Sequence, residues 1–222
     1  MSRRLAPVLH RDDPDKDPLV GHVKVTRADW LNVARGILVT NGVSEVKIQP
    51  IASKLAVSRS SFYWYFKSRS DLLDALLDDW EARNTQAIQT HCGDAAKTIT
   101  QAVCNFFRCF VDPHSFDQGL DFAIREWARR DASVKSRIEQ ADKLRVQAVT
   151  DMFERFDYAP QDADARARIL YFMQQGYNAL DQVEPLEDRM DRLEAYLLGF
   201  TGRTPLADEC ADFRAWSREK LK

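Results

Sequence analysis

The chain is predicted to be all-α, with a small helical head followed by a larger helical bundle. Three observations carry this. Apolar residues recur at three- and four-residue spacing over most of the 222 residues, which is the helical period. No segment alternates convincingly with the period of two that a half-buried strand needs. Pro113, Pro160, Pro185 and Pro205 fall at the breaks between periodic segments, where proline is tolerated.

The first 21 residues have no helical period and contain Asp12-Asp13-Pro14-Asp15-Lys16-Asp17-Pro18. Dense charge with two prolines predicts a flexible arm, which is either an inert tail, the favoured reading, or an arm whose Arg3 and Arg4 touch DNA. Helix one should begin at Thr26, where Thr26-Arg-Ala-Asp29 has the form of a capping box with Asp in place of Glu. Trp30, Ala34, Ile37 and Leu38 then share a face, and Asn41-Gly42 ends it. A second helix is expected over about 47–55, with Ile48, Ile51, Ala52 and Leu55 inward and Pro50 in its first turn. Ser58 should cap a short third helix reaching about Phe66, after a tight turn at Ala56-Val57. Ser70 should cap a fourth, with Leu72, Leu73, Leu76, Leu77 and Trp80 apolar and Asp71 and Asp74 near its positive end. Further helices are expected at 95–110, 118–129, 132–157, 162–182, 186–199 and 207–220.

Two late segments differ from the rest. In 163–180, Ala163, Ala167, Leu170, Met173, Tyr177 and Leu180 form one apolar stripe, and Ala165, Ile169, Phe172, Gly176 and Ala179 form a second. A helix apolar on two sides is buried on two sides, so one side would face a second chain. Leu186, Met190, Leu193, Leu197 and Phe200 follow at 4-3-4-3 spacing. The pair predicts a four-helix dimer interface that includes Ala165, Ile169, Phe172, Gly176, Leu193 and Leu197; the plainer alternative places both helices in a monomer core.

Composition bounds the function. Hydrophobic residues make up 45% and charged residues 30%, the range of a soluble globular protein of one or two domains. No apolar run reaches the length of a membrane span, and the N-terminal apolar stretch is too short for a secretion signal. Cys92, Cys104, Cys109 and Cys210 are too sparse for a disulfide framework, so a reduced, cytoplasmic protein is expected. The net charge of −2 conceals a division. Between His22 and Arg69, eight basic residues face two acidic ones, a local balance of +6, whereas residues 70–222 carry −8. A basic block beside an acidic body fits an anionic partner for the block, or else a chance cluster on a solvated face.

The informative stretch is Val46-Lys-Ile-Gln-Pro-Ile-Ala-Ser-Lys-Leu-Ala-Val-Ser-Arg-Ser-Ser-Phe-Tyr-Trp-Tyr-Phe-Lys67. An amphipathic helix, a tight turn and a short capped helix make the layout of a helix-turn-helix. The second helix of such a pair offers its first turn to base edges in the major groove. Here that turn holds Arg59, Ser60 and Ser61; Arg bonds guanine in bidentate fashion, and Ser contacts most bases or phosphates. Phe62 and Phe66 would face inward. Tyr63, Trp64, Tyr65 and Lys67 would hold phosphates and fix register, because a short helix cannot bury all five aromatics. Lys47 and Ser58 complete the expected DNA surface.

In these residues the chain resembles the TetR family of transcriptional regulators. Ile51-Ala52, Val57-Ser58, Phe62-Tyr63, Phe66, Ser68-Arg69 and Leu72-Leu73 follow, in order, the family's Ile-Ala, Gly-Val-Ser, Leu-Tyr, His-Phe and Lys-Glu-x-Leu-Leu pattern. The match covers about 48 residues. It departs at Ala56, where the family usually has Gly, so this turn should have a backbone that Ala accepts. Ser60 replaces a common Gly, Tyr65 a common His, and Arg69-Ser70 the Lys-Glu pair. The resemblance implies a flexible arm over 1–21, a DNA-binding domain over 22–70 and a ligand-binding and dimerisation domain over 71–222. It further implies a homodimer on a palindromic operator, acting as a repressor without enzymatic activity. An unknown small molecule in the body would change the spacing of the heads, with a helix over 71–91 carrying the coupling. Half-sites on one face of DNA lie about 34–36 Å apart, or multiples of that.

Other chemistry is poorly supported. His10, His22, His91 and His114 fit no zinc spacing, and Cys104 and Cys109 diverge by about 140° on a helix. No phosphate loop, nucleophile elbow or His-Glu-x-x-His occurs, so neither a metal nor a cofactor is expected. The charges of Arg125-Glu126-Trp127-Ala-Arg-Arg-Asp131 are expected to form pairs such as Glu126–Arg130. Phe106, Phe107, Phe110, Phe122 and Trp127 are candidates to line a ligand cavity, or to be plain core. The rival to the regulator reading is a helical-bundle enzyme or small-molecule carrier with no DNA role.

Overall fold

The structure is a computed structural model that describes residues 25–180, 182 and 184–220. The expected arm, with Arg3 and Arg4, lies outside the described residues. Eleven α-helices and short 3-10 turns make up the described fold: α1 (Arg27–Asn41), α2 (Ile48–Lys54), α3 (Arg69–Trp80), α4 (Gln86–Gly93), α5 (Ile99–Val111), α6 (Gln118–Ala128), α7 (Ala132–Glu154), α8 (Pro160–Ala179), α9 (Leu186–Asp191), α10 (Leu193–Thr201) and α11 (Ala207–Lys220). No described helix is long and apolar enough to cross a membrane.

The local signals explain most boundaries. Thr26 caps α1 in a full capping box with Asp29, satisfying amides that would otherwise be orphaned. Gly42 ends it at φ 82°, backbone that a side chain would strain. Thr98, Asp117 and Asp131 cap α5, α6 and α7 with their side chains, and Pro160 occupies the first turn of α8, where its missing N–H costs nothing. The fourth helix is capped by Ser68 rather than by the expected Ser70: the Ser68 hydroxyl accepts from the Asp71 amide at 3.1 Å. Ser58 stands at the N-cap of the third segment but makes no side-chain cap bond, and that segment winds as a 3-10 helix over Arg59–Trp64.

The expected 71–91 rod is present, with a feature the sequence did not announce. Between α3 and α4 lies a π-helical turn, Glu81–Thr85, and right-handed helical backbone runs through both junctions. The wider turn places Asn84 and Thr85 in the interior, at 0% and 6% exposure. Single π turns of this kind often accompany functional sites.

Two apolar clusters hold the fold together. The first gathers Trp30, Ala34, Leu38, Ile51, Phe62, Phe66, Leu72, Leu76 and Trp80 of the head with Leu120, Ile124, Val134 and Ile138 of α6 and α7. A domain cut at residue 70 therefore crosses this packing instead of separating two cores. The second cluster fills the body between α4, α5, α7, α8, α10 and α11. All four cysteines are buried free thiols. Burial pushes the thiols of Cys92 and Cys104 up to about 12, so they are inert packing groups in this state.

Candidate nucleic-acid interface and its connection to the body

The turn before the 3-10 segment is tighter than its sequence suggested. Ala56 sits at φ 56°, in the left-handed region that glycine accepts without strain and alanine does not. The expectation that Ala56 would find ordinary backbone is thus overturned. The Val57 amide closes the turn onto the Ala52 carbonyl at 3.0 Å.

This turn aims the 3-10 segment outward. Phe62 and Phe66 are the inward pair, at 0% and 2% exposure, with Trp30 edge-on to Phe62 at 5.3 Å. Trp64 is 82% exposed and Tyr63 51%. The two adjoining aromatic faces are thus presented to solvent on the basic head. Arg59, Ser60 and Lys67 are exposed beside them, Ser58 is exposed, and Ser61 is half-buried. The serines are already linked: Ser58 Oγ lies 2.8 Å from Ser60 Oγ, and Ser61 Oγ donates to the Ser58 carbonyl at 2.6 Å.

Tyr65 does not join this surface. Its ring packs on the head core and its hydroxyl donates to the Val25 carbonyl at 2.6 Å. The sequence placed it among the phosphate contacts. The structure spends its one polar tip on tying the segment before α1 to the recognition segment. Arg69, counted with the basic block, is also structural: Nε and Nη2 donate to the Val46 and Val43 carbonyls, both at 2.6 Å, clamping the α1–α2 connection. Arg27 lies over the Phe66 ring at 4.9 Å, and Arg35 pairs with Asp79 at 2.9 Å. Lys47 is exposed and pairs with Glu45 at 3.1 Å. Among the described residues this leaves Arg27, Lys54, Arg59 and Lys67 as exposed head cations without an ion-pair partner.

Behind the head, a buried polar network joins α3, the π turn, α6, α7 and α8. The Asp121 carboxylate accepts from Trp80 Nε1 at 2.7 Å, Arg145 Nη1 at 2.9 Å and Arg125 Nε at 2.8 Å. Arg125 also grips Asp142 at 2.6 and 2.9 Å, and the Tyr171 hydroxyl donates to Asp142 at 2.6 Å. Arg145, 0% exposed, donates through Nε to Thr85 of the π turn at 3.0 Å and stacks on the Trp80 ring at 4.9 Å. Asn84 clasps the Asp117 backbone from both sides at 3.0 Å. Burial alone would raise the Asp121 carboxyl, but the neighbouring Arg145 and Arg125 guanidiniums outweigh burial and hold it below the usual carboxylate range. The expected Glu126–Arg130 pair is not made among the described residues; Arg125, one position earlier, carries the charge chemistry of α6 instead. Nothing in the sequence pattern distinguishes Arg145 from a surface arginine, so the network was not foreseen.

The five candidate cavity aromatics do not converge. Phe106 and Phe110 are solid core with Phe116, Phe122 is 45% exposed, and Trp127 packs on the head cluster. Only Phe107 lines the apolar cleft of the body. That cleft is narrow, with about 40 Å³ of water-accessible space, and lies between α5, α8, α9, α10 and α11. Leu193 and Leu197, expected at a dimer interface, are 3% and 0% exposed within the protomer's own core. The 4-3-4-3 stripe is therefore the inward face of α9 and α10, as the monomer-core alternative held. Of the other interface candidates, Ala165, Ile169 and Phe172 are exposed on α8, with Ile169 at 60% and Phe172 at 49%, and Gly176 is half-buried. The neighbouring outward residues of α10 are Ala195, Leu198 and Gly199.

Residues 31–76 match the family model described as bacterial regulatory proteins, tetR family. No curated protein matches the chain. Among solved structures, the chain is similar to GusR of Salmonella enterica, at 15% identity and a TM-score of 0.57 over 91% of this chain and 98% of that one. It is similar to AmtR of Mycobacterium smegmatis, at 16% identity and a TM-score of 0.54 over 91% and 97%. A TetR-like transcriptional regulator from Rhodococcus sp. RHA1 follows, at 19% identity and 0.51 over 87% and 94%. At these identities the likeness is one of fold. The helix-turn-helix of residues 31–76 is thus that of the tetR-family model, and the fold of the whole chain is shared with these solved structures.

Proposed function

We infer that the chain is a DNA-binding transcriptional regulator, a repressor that acts as a homodimer and is released from its operator by a small molecule held in the helical body. The observation that carries the DNA reading is the 82% exposure of Trp64 beside Arg59, Ser60, Tyr63 and Lys67. In this reading Arg59 and Ser60 meet base edges, while Tyr63, Trp64, Lys67 and Lys47 hold phosphates. Ser58 and Ser61 shape the first turn.

The second copy is expected on the outward faces of α8 and α10. Ala165, Ile169, Phe172 and Gly176 with Ala195, Leu198 and Gly199 form an apolar strip that one protomer leaves in water. A Cβ built on Gly176 or Gly199 meets nothing within 4 Å, so both positions leave room for close helix approach. A self-complementary strip of this kind closes by two-fold symmetry, which sets two heads on an inverted-repeat operator.

Coupling from body to head would follow α8. Gln174 and Tyr177 line the cleft, and Tyr171 lies one turn earlier in the buried network. From there Asp121 and Arg145 reach Trp80 and the π turn, at the end of the helix that begins beside the recognition segment. Anything that shifts α8 changes the register of this network and so the angle of α3. A coupling of a few kcal/mol suffices for such a switch.

Binding of the purified chain to duplex DNA, followed by fluorescence anisotropy across a salt series, tests the DNA reading. Affinity should fall steeply with salt as counterions are released. Affinity that is absent, or flat with salt, overturns it and favours the helical carrier.

A further inference from the structure

The chemistry of the body cleft is specific enough to name a ligand class. Its walls are Phe107, Val111, Met173, Met190, Leu193, Phe200 and Phe213, all apolar. Polar groups gather at one side. Gln174 donates to Asn178 at 3.0 Å, and the Tyr177 and Tyr196 hydroxyls lie 3.1 Å apart. Arg189, on the short helix α9, is the one cation in the lining.

The charges around Arg189 decide the sign of the ligand. Glu184 is committed to Arg192 at 2.6 Å, Glu187 to Arg218 at 2.6 Å and Glu194 to Arg214 at 2.7 Å. Among the described residues Arg189 has no carboxylate partner; it rests over the Tyr177 ring at 5.8 Å. A half-buried guanidinium with five N–H donors and no acceptor is an incomplete pair. The unpaired guanidinium calls for an oxygen acceptor carrying negative charge, beside the tyrosine hydroxyls of an otherwise apolar slot.

We propose that the cleft takes a small monocarboxylate with a slender apolar chain, its carboxylate on Arg189 and its chain along Phe107, Met173 and Phe200. This rests on the effector reading above and gives it a chemistry. A single alkyl chain suits the narrow space, since it slides between the aromatic walls without parting α8 from α10. The carboxylate forms a fork-to-fork pair with the guanidinium, the geometry that makes Arg selective for planar anions. The tyrosine hydroxyls turn toward the second oxygen. Binding would press on Met173, Gln174 and Tyr177, on the helix that carries both Tyr171 and the outward strip, so a ligand acts on the coupling network and the dimer face together.

The test is calorimetry on the purified full-length chain with decanoate, decanol and decyltrimethylammonium, three probes of equal chain length and different charge. Decanoate should bind at least about ten-fold tighter than decanol, the factor expected of a charged hydrogen-bonded pair. In R189Q that advantage should vanish while decanol affinity stays unchanged; Arg189 is partly exposed, so the variant keeps its core. L193F, which narrows the slot, should weaken both probes, with thermal melting to confirm folding. If no probe binds, or if decanol or the ammonium matches decanoate, the proposal is overturned; the same holds if R189Q leaves the ratio intact. Decanoate binding that leaves operator affinity unchanged would sustain the site and refute the effector reading. Salt-dependent DNA binding with no decanoate binding would refute the site and leave the DNA reading standing.

Discussion

Asp121 is the keystone of the connection between head and body, and replacing it by Asn gives a prediction with a definite size. The wild-type carboxylate receives Trp80, Arg145 and Arg125 within 2.9 Å while only 2% exposed. An Asn of the same shape offers one oxygen and turns two N–H donors toward that cluster. Arg145, fully buried, then keeps only Asp142 at 4.0 Å as a counterion. Breaking a buried pair by removing one partner costs about 3–5 kcal/mol. For a chain of this length each kcal/mol moves the melting temperature by about 2–4 °C, so D121N should melt roughly 6–20 °C lower. Adding Arg145→Met should restore much of the loss, because the uncompensated charge is gone and Met fills similar space against Trp80 and Phe116. The pH dependence follows from the lowered Asp121 carboxyl. Its contribution is fully present above the unfolded carboxylate value of about 3.9 and is lost as pH falls through the lower folded value. D121N should therefore lose less stability than wild type on acidification below about pH 4. Thermal melts by circular dichroism across that range read all three effects. A D121N loss under about 1 kcal/mol, or a double variant no more stable than D121N, would refute the reasoning.

The remaining predictions concern the turn, the interface and the recognition segment. Ala56→Gly should stabilise the chain by roughly 0.5–1 kcal/mol, because relief of about 1–2 kcal/mol of left-handed strain exceeds the added unfolded-state entropy of about 0.4–1 kcal/mol; a lower urea midpoint would contradict the assigned turn. Gly176→Arg, at a position where an added Cβ meets nothing within 4 Å, should give folded monomers by sedimentation, and persistent dimers would move the interface elsewhere. Arg59→Ala should relax base preference at one position at a cost of about 1–3 kcal/mol, whereas Lys67→Ala should weaken all sequences alike and reduce the salt slope by about 1. Operator titrations in which both variants behave as wild type would show that the recognition segment has been misassigned.

The parts of the fold visible in the sequence were those governed by local chemistry. The Thr26 capping box, the stop at Gly42 and the inward pair Phe62 and Phe66 each follow from residues within one or two turns of one another. Where partners lie far apart in sequence, the pattern was silent or misleading. Tyr65 looked like a phosphate contact because its partner, the Val25 carbonyl, lies 40 residues away. Leu193 and Leu197 have the spacing of an interface stripe, yet periodicity states only that a face is buried, and here it is buried within the protomer. Phe122 and Trp127 were grouped with Phe106 by composition, although α6 turns them toward the head. The π turn has no sequence signature of its own; Asn84 and Thr85 become readable only once Asp117 and Arg145 are seen beside them. Likewise the Ala56 strain is legible only from backbone angles, since the residue type argued against it.

The central claim is that the exposed segment from Arg59 to Trp64 reads DNA as one of two symmetric heads. Selecting bound sites from a random duplex pool with the purified chain tests this most directly. The account predicts enrichment of an inverted repeat, with half-site centres separated by about one helical turn or a multiple of it, and R59A should blur one position in each half. A pool that stays random, or converges on a sequence without two-fold symmetry, would contradict it.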